Sequence, residues 1–143
     1  MIGALVAKYQ VKQAFKHMGE KNLDKFLQGW HEQATFMYPG ELSVSGTYQG
    51  LDQIRPWFDY MFQHFKEIEF RVKHICVDNL FDLSGNNLVI ASWDVHLLNV
   101  QGKRVENTGT NIIRIENRKV VEVQDFFFFA ERLPIGWNEV NQN

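Results

Sequence analysis

The sequence predicts an α+β domain in which three N-terminal helices cover one face of a curved antiparallel sheet. Up to residue 65, apolar residues recur at three- and four-residue spacing, which is typical of amphipathic helices. From Glu67 onward they alternate with polar residues, as strands require. Tight turns at Gln101-Gly102 and Asn117-Arg118 separate the later strands, and short turns join antiparallel neighbours. A sheet that curves around helices encloses a conical cavity, so we expect one here.

The helices are expected over residues 4–18, over a short segment from 23 to 30 and over 52–65. Gly19 ends the first helix, and Asn22 is placed to cap the second. Pro56 fits the third helix only because it lies near the first turn, where amides lack intrahelical acceptors.

A short strand is expected over residues 34–38, followed by a loop over 40–50. Long strands are expected over 67–77, 88–100, 106–116 and 119–131. The alternation changes phase near His74, which predicts a bulge there.

The chain has 143 residues, a usual length for one domain, which we place at 1–131 with a C-terminal tail at 132–143. Pro134 and Gly136 break regular structure in the tail, so we expect it to pack loosely over the cavity mouth or a dimer edge.

A net charge of −2 gives no basic field for nucleic acid. No run approaches 18 apolar residues, and residues 2–7 are too short for a signal-peptide core. We therefore expect a cytoplasmic protein with neither nucleic acid nor membrane as a partner.

Aromatic residues make up 14% of the chain, which indicates an apolar pocket, a large apolar interface or both. The pocket would take a small apolar organic ligand. The strand over 88–100 is apolar on both faces, and helices can cover only one of them. We therefore expect a homodimer through the outer sheet face.

Four segments carry a resemblance: Asn22–Asp24, Ala34–Pro39, Gly46–Gly50 and Arg114–Phe126. Together they resemble the nuclear transport factor 2-like superfamily and, within it, the SnoaL-like polyketide cyclases. The resemblance covers about residues 4–130. It implies a cone-shaped, cystatin-like sheet around the helices and pairing through the outer sheet face. Because this fold carries several activities, it does not identify a reaction.

Asp125 is the first catalytic candidate. By strand alternation it shares a face with Val121, Val123, Phe127 and Phe129. A carboxylate beside rings in low dielectric has a raised pKa and becomes a usable general acid or base. A buried aspartate satisfied by a neighbouring amide or hydroxyl is the alternative. The resemblance favours catalysis, because SnoaL-like cyclases and limonene epoxide hydrolases carry an acid/base aspartate at the matching position.

Asp94 and His96 lie two apart and therefore share one strand face. They either face the pocket as catalytic groups or lie on the outer face, at a dimer contact or in solvent. The resemblance aligns an acidic residue of limonene epoxide hydrolases with Asp94. Ser92 replaces the arginine of those enzymes, which argues against epoxide hydrolysis.

Tyr38 and Asn111 stand where ketosteroid isomerases carry two functional aspartates, which argues against steroid isomerisation. Both can still donate hydrogen bonds to a ligand carbonyl, or simply form the cavity wall. Phe15, Trp30, Trp57 and Met61 are expected to line the pocket, with ordinary core packing as the alternative.

No histidines stand at metal-ligand spacing, and the phosphate-binding and nucleophile motifs are absent from the sequence. We therefore expect no metal, no cofactor and no covalent mechanism. Two functions stay open. The first is cofactor-independent cyclisation, isomerisation or hydration, with Asp125 as the general base or acid. The second is a non-catalytic ligand-binding or dimeric assembly module of the same fold.

Overall fold

A computed structural model describes residues 1–140. The elements follow one another in this order: α1 Ile2–Gly19, α2 Leu23–Gln28, β1 Trp30–Tyr38, β2 Gly46–Gln49, α3 Leu51–His64, β3 Phe65–Val77, β4 Asn87–Asn99, β5 Arg104–Glu116, β6 Lys119–Phe127, a 3-10 turn Ala130–Arg132, and α4 Leu133–Gly136. The fold is α+β, with the helices against the concave face of one curved sheet, as the sequence predicts.

The sheet has six strands in the order β2-β1-β6-β5-β4-β3. Strands β3 to β6 form an antiparallel meander. The strands joined by tight turns are antiparallel as predicted, whereas β1 runs parallel to β6. The two strands are distant in the chain, so no tight turn dictates their relative direction.

The end of α2 and the start of β1 differ from the prediction. The Asn22 side chain caps α2 as expected, accepting a hydrogen bond from the Lys25 amide at 3.2 Å. However, α2 stops before Gly29, and Trp30 opens β1 by pairing with Val120 of β6. The helical spacing of Trp30 is therefore overridden by sheet pairing, although its ring still reaches the core.

Apart from the earlier start of β1, the strand predictions hold with two exceptions. The bulge expected near His74 is confirmed by a register shift between Val72 and His74. The loop expected over 40–50 contains the short edge strand β2, and β6 ends at Phe127 rather than at residue 131. A second register shift, beside Ile115, turns Val120 inward.

The C-terminal segment packs tightly, contrary to the expectation of a loose tail. Trp137 is 5% exposed and stacks on His64, with ring centroids 5.0 Å apart. The fully buried Asn99 donates to the Gly136 carbonyl at 3.0 Å. Leu133 is also buried. Because Trp137 and Leu133 bury large apolar surfaces, the segment joins the core despite its proline and glycine. The last three residues of the predicted tail, 141–143, lie outside the described residues.

The core lies between the sheet and α3, which buries Ile54, Trp57, Phe58, Met61 and Phe62. No helix in the described part of the chain is long and apolar enough to cross a lipid bilayer.

Candidate functional site

A cavity of about 450 Å³ lies between the helices and the concave face of the sheet. This volume is within the range of pockets that hold drug-sized ligands. Its lining is mostly apolar and includes seven residues singled out from the sequence: Phe15, Trp30, Tyr38, Trp57, Met61, Asn111 and Asp125. Whether these residues bind a ligand or only form the cavity wall is a separate question.

The polar centre of the cavity is a pair of side chains on neighbouring strands. Asn111 of β5 lies directly opposite Asp125 of β6. The amide Nδ2 of Asn111 donates a hydrogen bond to Oδ1 of Asp125. The other oxygen, Oδ2, makes no hydrogen bond with residues 1–140 and is left for a ligand.

A buried tryptophan fixes the orientation of the Asn111 amide. The indole Nε1 of Trp93 donates to Oδ1 of Asn111 at 2.6 Å. Since an indole N–H can only donate, the amide must present its oxygen to Trp93 and its NH₂ group to Asp125. Gly109 lies opposite Trp93 in β5, and a Cβ there would overlap the indole ring. The glycine therefore lets the ring lie across β5 and reach Asn111.

Burial changes the acidity of Asp125. Desolvation raises its pKa from 3.8 to about 7, although the hydrogen bond from Asn111 works in the opposite direction. Near neutral pH the carboxyl group therefore exists in both protonation states, as a general acid or base needs.

Tyr38 supplies a second polar group to the cavity. Its hydroxyl oxygen accepts a hydrogen bond from Nε1 of Trp137 at 2.9 Å. Burial raises the pKa of the phenol, and the charge of Asp125 raises it further, against the lowering effect of Trp137. The phenol therefore keeps its proton at physiological pH. That proton has no acceptor in the described residues, so it is free to bind a ligand oxygen.

The remaining predicted lining residues contribute shape rather than hydrogen bonds. The indole Nε1 of Trp57 donates to the Val44 carbonyl at 2.9 Å, so only its ring is available to a ligand. Trp30 packs edge-on against Phe58, with centroids 5.9 Å apart.

Asp94 and His96 lie on the opposite, outer face of the sheet and do not line the cavity. The pocket alternative for these two residues is therefore wrong. Asp94 accepts hydrogen bonds from Lys73 at 2.9 Å and from Thr108 at 2.8 Å, and both lower its pKa. His96 contacts Glu106 at 3.1 Å. The strand alternation was read correctly, but only the packing of the helices decides which face is inside.

Sequence reasoning missed the roles of Trp93, Gly109 and Trp137. A signal existed for the first two. The Gln101-Gly102 turn sets the β4–β5 register, which places a tryptophan opposite a glycine and beside Asn111. No comparable signal marked Trp137, because its contact with Tyr38 spans 99 positions of the chain.

No group of three or more histidine, cysteine, aspartate or glutamate side chains in residues 1–140 is arranged to hold a metal ion. The chemistry that the site can perform with its own groups is proton transfer. It has one carboxyl oxygen facing the cavity and one phenolic donor for a developing negative charge.

Comparison with known proteins identifies the family of this chain. The family model of the SnoaL-like domain matches residues 11–123. No curated protein matches the chain.

Several solved structures share the fold at low sequence identity. A nuclear transport factor 2-like protein of unknown function from Burkholderia pseudomallei is 16% identical, with a TM-score of 0.78 over 94% of this chain and 98% of that one. A protein of unknown function with a cystatin-like fold from Xanthomonas campestris is 19% identical, with a TM-score of 0.73 over 90% and 95% of the two chains. A provisionally assigned SnoaL-like polyketide cyclase from Shewanella putrefaciens is 14% identical, with a TM-score of 0.67 over 88% and 94%.

The identities are too low to transfer a reaction, and they show the fold alone. The family model covers most of the chain, including β1, which carries Tyr38, and β5, which carries Asn111. This chain therefore belongs to the SnoaL-like domain family.

Proposed function

We propose that the protein catalyses a cofactor-independent proton transfer on a small apolar molecule, cyclic or polyketide-like, that carries a carbonyl group. Asp125 is the general base and acid. One observation carries the proposal: a carboxyl group with a pKa of about 7 has one oxygen free in an apolar cavity. A purely structural aspartate would be expected to use both oxygens.

The reaction begins with Oδ2 of Asp125 taking a proton from the carbon next to the ligand carbonyl. The electron pair of the broken C–H bond moves into the carbonyl system and places negative charge on its oxygen. The Tyr38 hydroxyl donates a hydrogen bond to that oxygen. Return of the proton from Asp125 to another carbon completes an isomerisation. In a cyclisation, the carbanion attacks a second carbonyl of the same molecule, and Asp125 then returns its proton to the resulting alkoxide oxygen.

Asn111 acts on Asp125 rather than on the ligand. Its Nδ2 donor stabilises the carboxylate form, so that burial does not raise the Asp125 pKa far above neutrality. Trp93 holds the amide in the orientation that this requires.

The family supports the ligand class in general terms. The Shewanella protein named above is provisionally assigned as a polyketide cyclase, and its resemblance to this chain is one of fold. The apolar lining of the present cavity suits a ring system of that kind.

A non-catalytic binding module of the same fold is the alternative function. Such a module needs the cavity but not a titrating carboxyl beside a free phenolic donor. The presence of the Tyr38 hydroxyl on the same cavity as Asp125 favours catalysis, because a base needs a group that takes up the developing charge.

The test is proton exchange, because it does not require the product to be known. A panel of cyclic ketones and 1,3-diketones is incubated with the protein in D₂O, and loss of the α-proton signal is followed by NMR. The wild type is compared with Asp125→Asn and with the matched control Asp94→Asn on the outer face. We expect Asp125→Asn to slow exchange at least ~10²-fold and Asp94→Asn to leave it unchanged. Ligand binding without exchange in the wild type would assign the protein to the binding class.

We propose as well that two copies pair through the outer face of the sheet. Ile90 is 42% exposed there, and its partner across the ladder is Ile112 of β5. Phe126 of β6 is 45% exposed and lies on the same face, because its ladder partner Thr110 is two residues from Ile112 in β5. These apolar side chains form a patch that pairing would cover.

Light scattering at micromolar concentration tests the pairing. A mass of two chains is expected for the wild type, and a mass of one chain for Ile112→Lys. A monomeric wild type would contradict the pairing. A cytoplasmic location and the absence of nucleic-acid and membrane partners stay predictions from the sequence.

A further inference from the structure

We propose that the ligand of this cavity carries an anionic group, such as a carboxylate, which lies at the mouth between Lys25 and Arg118 while the apolar rings fill the interior. The inference deepens the proposed function, since it concerns the same cavity and rests on that cavity being the ligand site. It does not depend on catalysis by Asp125.

The exposure of the lining residues shows where the cavity opens. Tyr9 of α1 is 65% exposed, and Lys25 of α2 and Arg118 of the β5–β6 turn are also exposed. By contrast, Met61 and Asn111 on the lining are 6% and 8% exposed. The mouth therefore lies between α1, α2 and the β5–β6 turn, and the Asp125 pair lies at the inner end.

The charges are divided between these two ends. Lys25 and Arg118 are the lysine and arginine among the lining residues, and Asp125 is the carboxylate among them. Neither cation forms an ion pair within the described part of the chain. Asp24, the acid next to Lys25 in the sequence, binds Arg55 at 2.8 Å instead. Two cations without carboxylate partners beside an apolar cavity favour a ligand that brings its own negative charge.

The backbone around Arg118 is held against the helices. Its carbonyl accepts a hydrogen bond from Nε2 of Gln10 in α1 at 2.9 Å. Nζ of Lys119 donates to the Gln28 carbonyl at the end of α2, at 2.7 Å. The base of the Arg118 side chain is therefore fixed at the mouth, and a guanidinium can bind a carboxylate with two parallel hydrogen bonds.

The test uses two fluorescent probes that share a ring framework and differ in charge. 1-Anilinonaphthalene-8-sulfonate carries an anionic group, and N-phenyl-1-naphthylamine lacks it. Dissociation constants of both are measured for the wild type, Lys25→Gln, Arg118→Gln and the double variant. The series is repeated in 1 M NaCl, where charges more than about 3 Å apart are screened.

We expect the double variant to bind the anionic probe about fivefold more weakly, as one or two partly exposed ion pairs allow, and the neutral probe equally well. High salt should weaken binding of the anionic probe by the wild type and should have little effect on its binding by the double variant. Unchanged binding of the anionic probe by the double variant, or an equal loss for both probes, would overturn the inference.

Ala14→Phe is the control for binding inside the cavity, because Ala14 of α1 lines it. The added ring should abolish binding of both probes. If it does not, the probes bind the exposed apolar surface around Ile2 and Phe81, and the inference fails. Charge-dependent probe binding together with an absence of Asp125-dependent exchange would uphold this inference and contradict the proposed catalysis.

Discussion

Asp125 and Asp94 are two aspartates of the same sheet with opposite environments. Asp125 faces the cavity, where burial raises its pKa to about 7 and one oxygen has no hydrogen-bond partner within residues 1–140. Asp94 faces outward, where Lys73 and Thr108 hold its pKa below the ordinary value. The comparison shows that the face of the sheet, rather than the residue type, decides whether a carboxyl group can exchange a proton near neutral pH.

The free-energy cost of burying a carboxylate arises on the inner face of the sheet. Asp94 is stabilised as an anion by an ion pair and a hydroxyl donor. Asp125 has one amide donor and an apolar cavity, so that its charged form is destabilised relative to water. Five substitutions test the difference, beginning with the largest expected effect.

Asp125→Asn should stabilise the fold increasingly as the pH rises. The Asp125 carboxyl group has a pKa of 3.8 in the unfolded chain and about 7 in the folded protein. Its contribution to stability is therefore fully present below pH 3.8 and is lost as the pH rises through about 7. The difference in unfolding free energy between the variant and the wild type should be about 2 to 4 kcal/mol larger at pH 8 than at pH 4, in favour of the variant. Urea titrations at both pH values measure this gain. A constant difference would mean that Asp125 is not desolvated.

Gly109→Ala should destabilise the fold by about 1 to 3 kcal/mol, the usual cost of overpacking. The new Cβ would overlap the Trp93 ring and the Phe126 carbonyl oxygen. Gly19→Ala is the control, since its Cβ would lie 3.5 Å from the Ile68 carbonyl oxygen, an ordinary contact. Thermal unfolding of both variants measures the difference. Equal stability would show that the indole has room to move.

Trp93→Phe should raise the Asp125 pKa further, by about half a unit, because the Asn111 amide loses the donor that orients it. Asn111→Leu removes the donor to Asp125 altogether and should raise the pKa more. Both are measured by NMR titration of the carboxyl carbon. A shift in Asn111→Leu but not in Trp93→Phe would remove Trp93 from its positioning role.

Asp94→Asn should have the smallest effect, and its pH dependence should have the opposite sign. The lowered pKa means that Asp94 stabilises the fold above its unfolded value, and that this contribution disappears as the pH falls through the folded value. The variant should therefore be slightly less stable than the wild type at neutral pH and equal to it in strong acid. The urea titrations used for Asp125→Asn detect this. A stability gain at pH 8 would contradict the contrast between the two faces.

The local patterns of the chain predicted most of the fold. The helices, the cap at Asn22, the bulge near His74 and the turns between the long strands were all read from spacing and turn residues. These features depend on neighbours within a few positions, so the sequence alone contains their cause. Boundaries failed where distant pairing competed, as at Trp30, which leaves its helical pattern to pair with β6.

The candidate site divides in the same way. Alternation along the strands determined that Asp125 shares its face with apolar residues and that Asp94 shares its face with His96. Which of these faces is inside was decided by the packing of α1 and α3 against the sheet. The hydrogen bonds from Trp93 to Asn111 and from Trp137 to Tyr38 also come from the tertiary structure. Periodicity assigns residues to a face, but only the folded chain brings distant side chains within hydrogen-bonding distance.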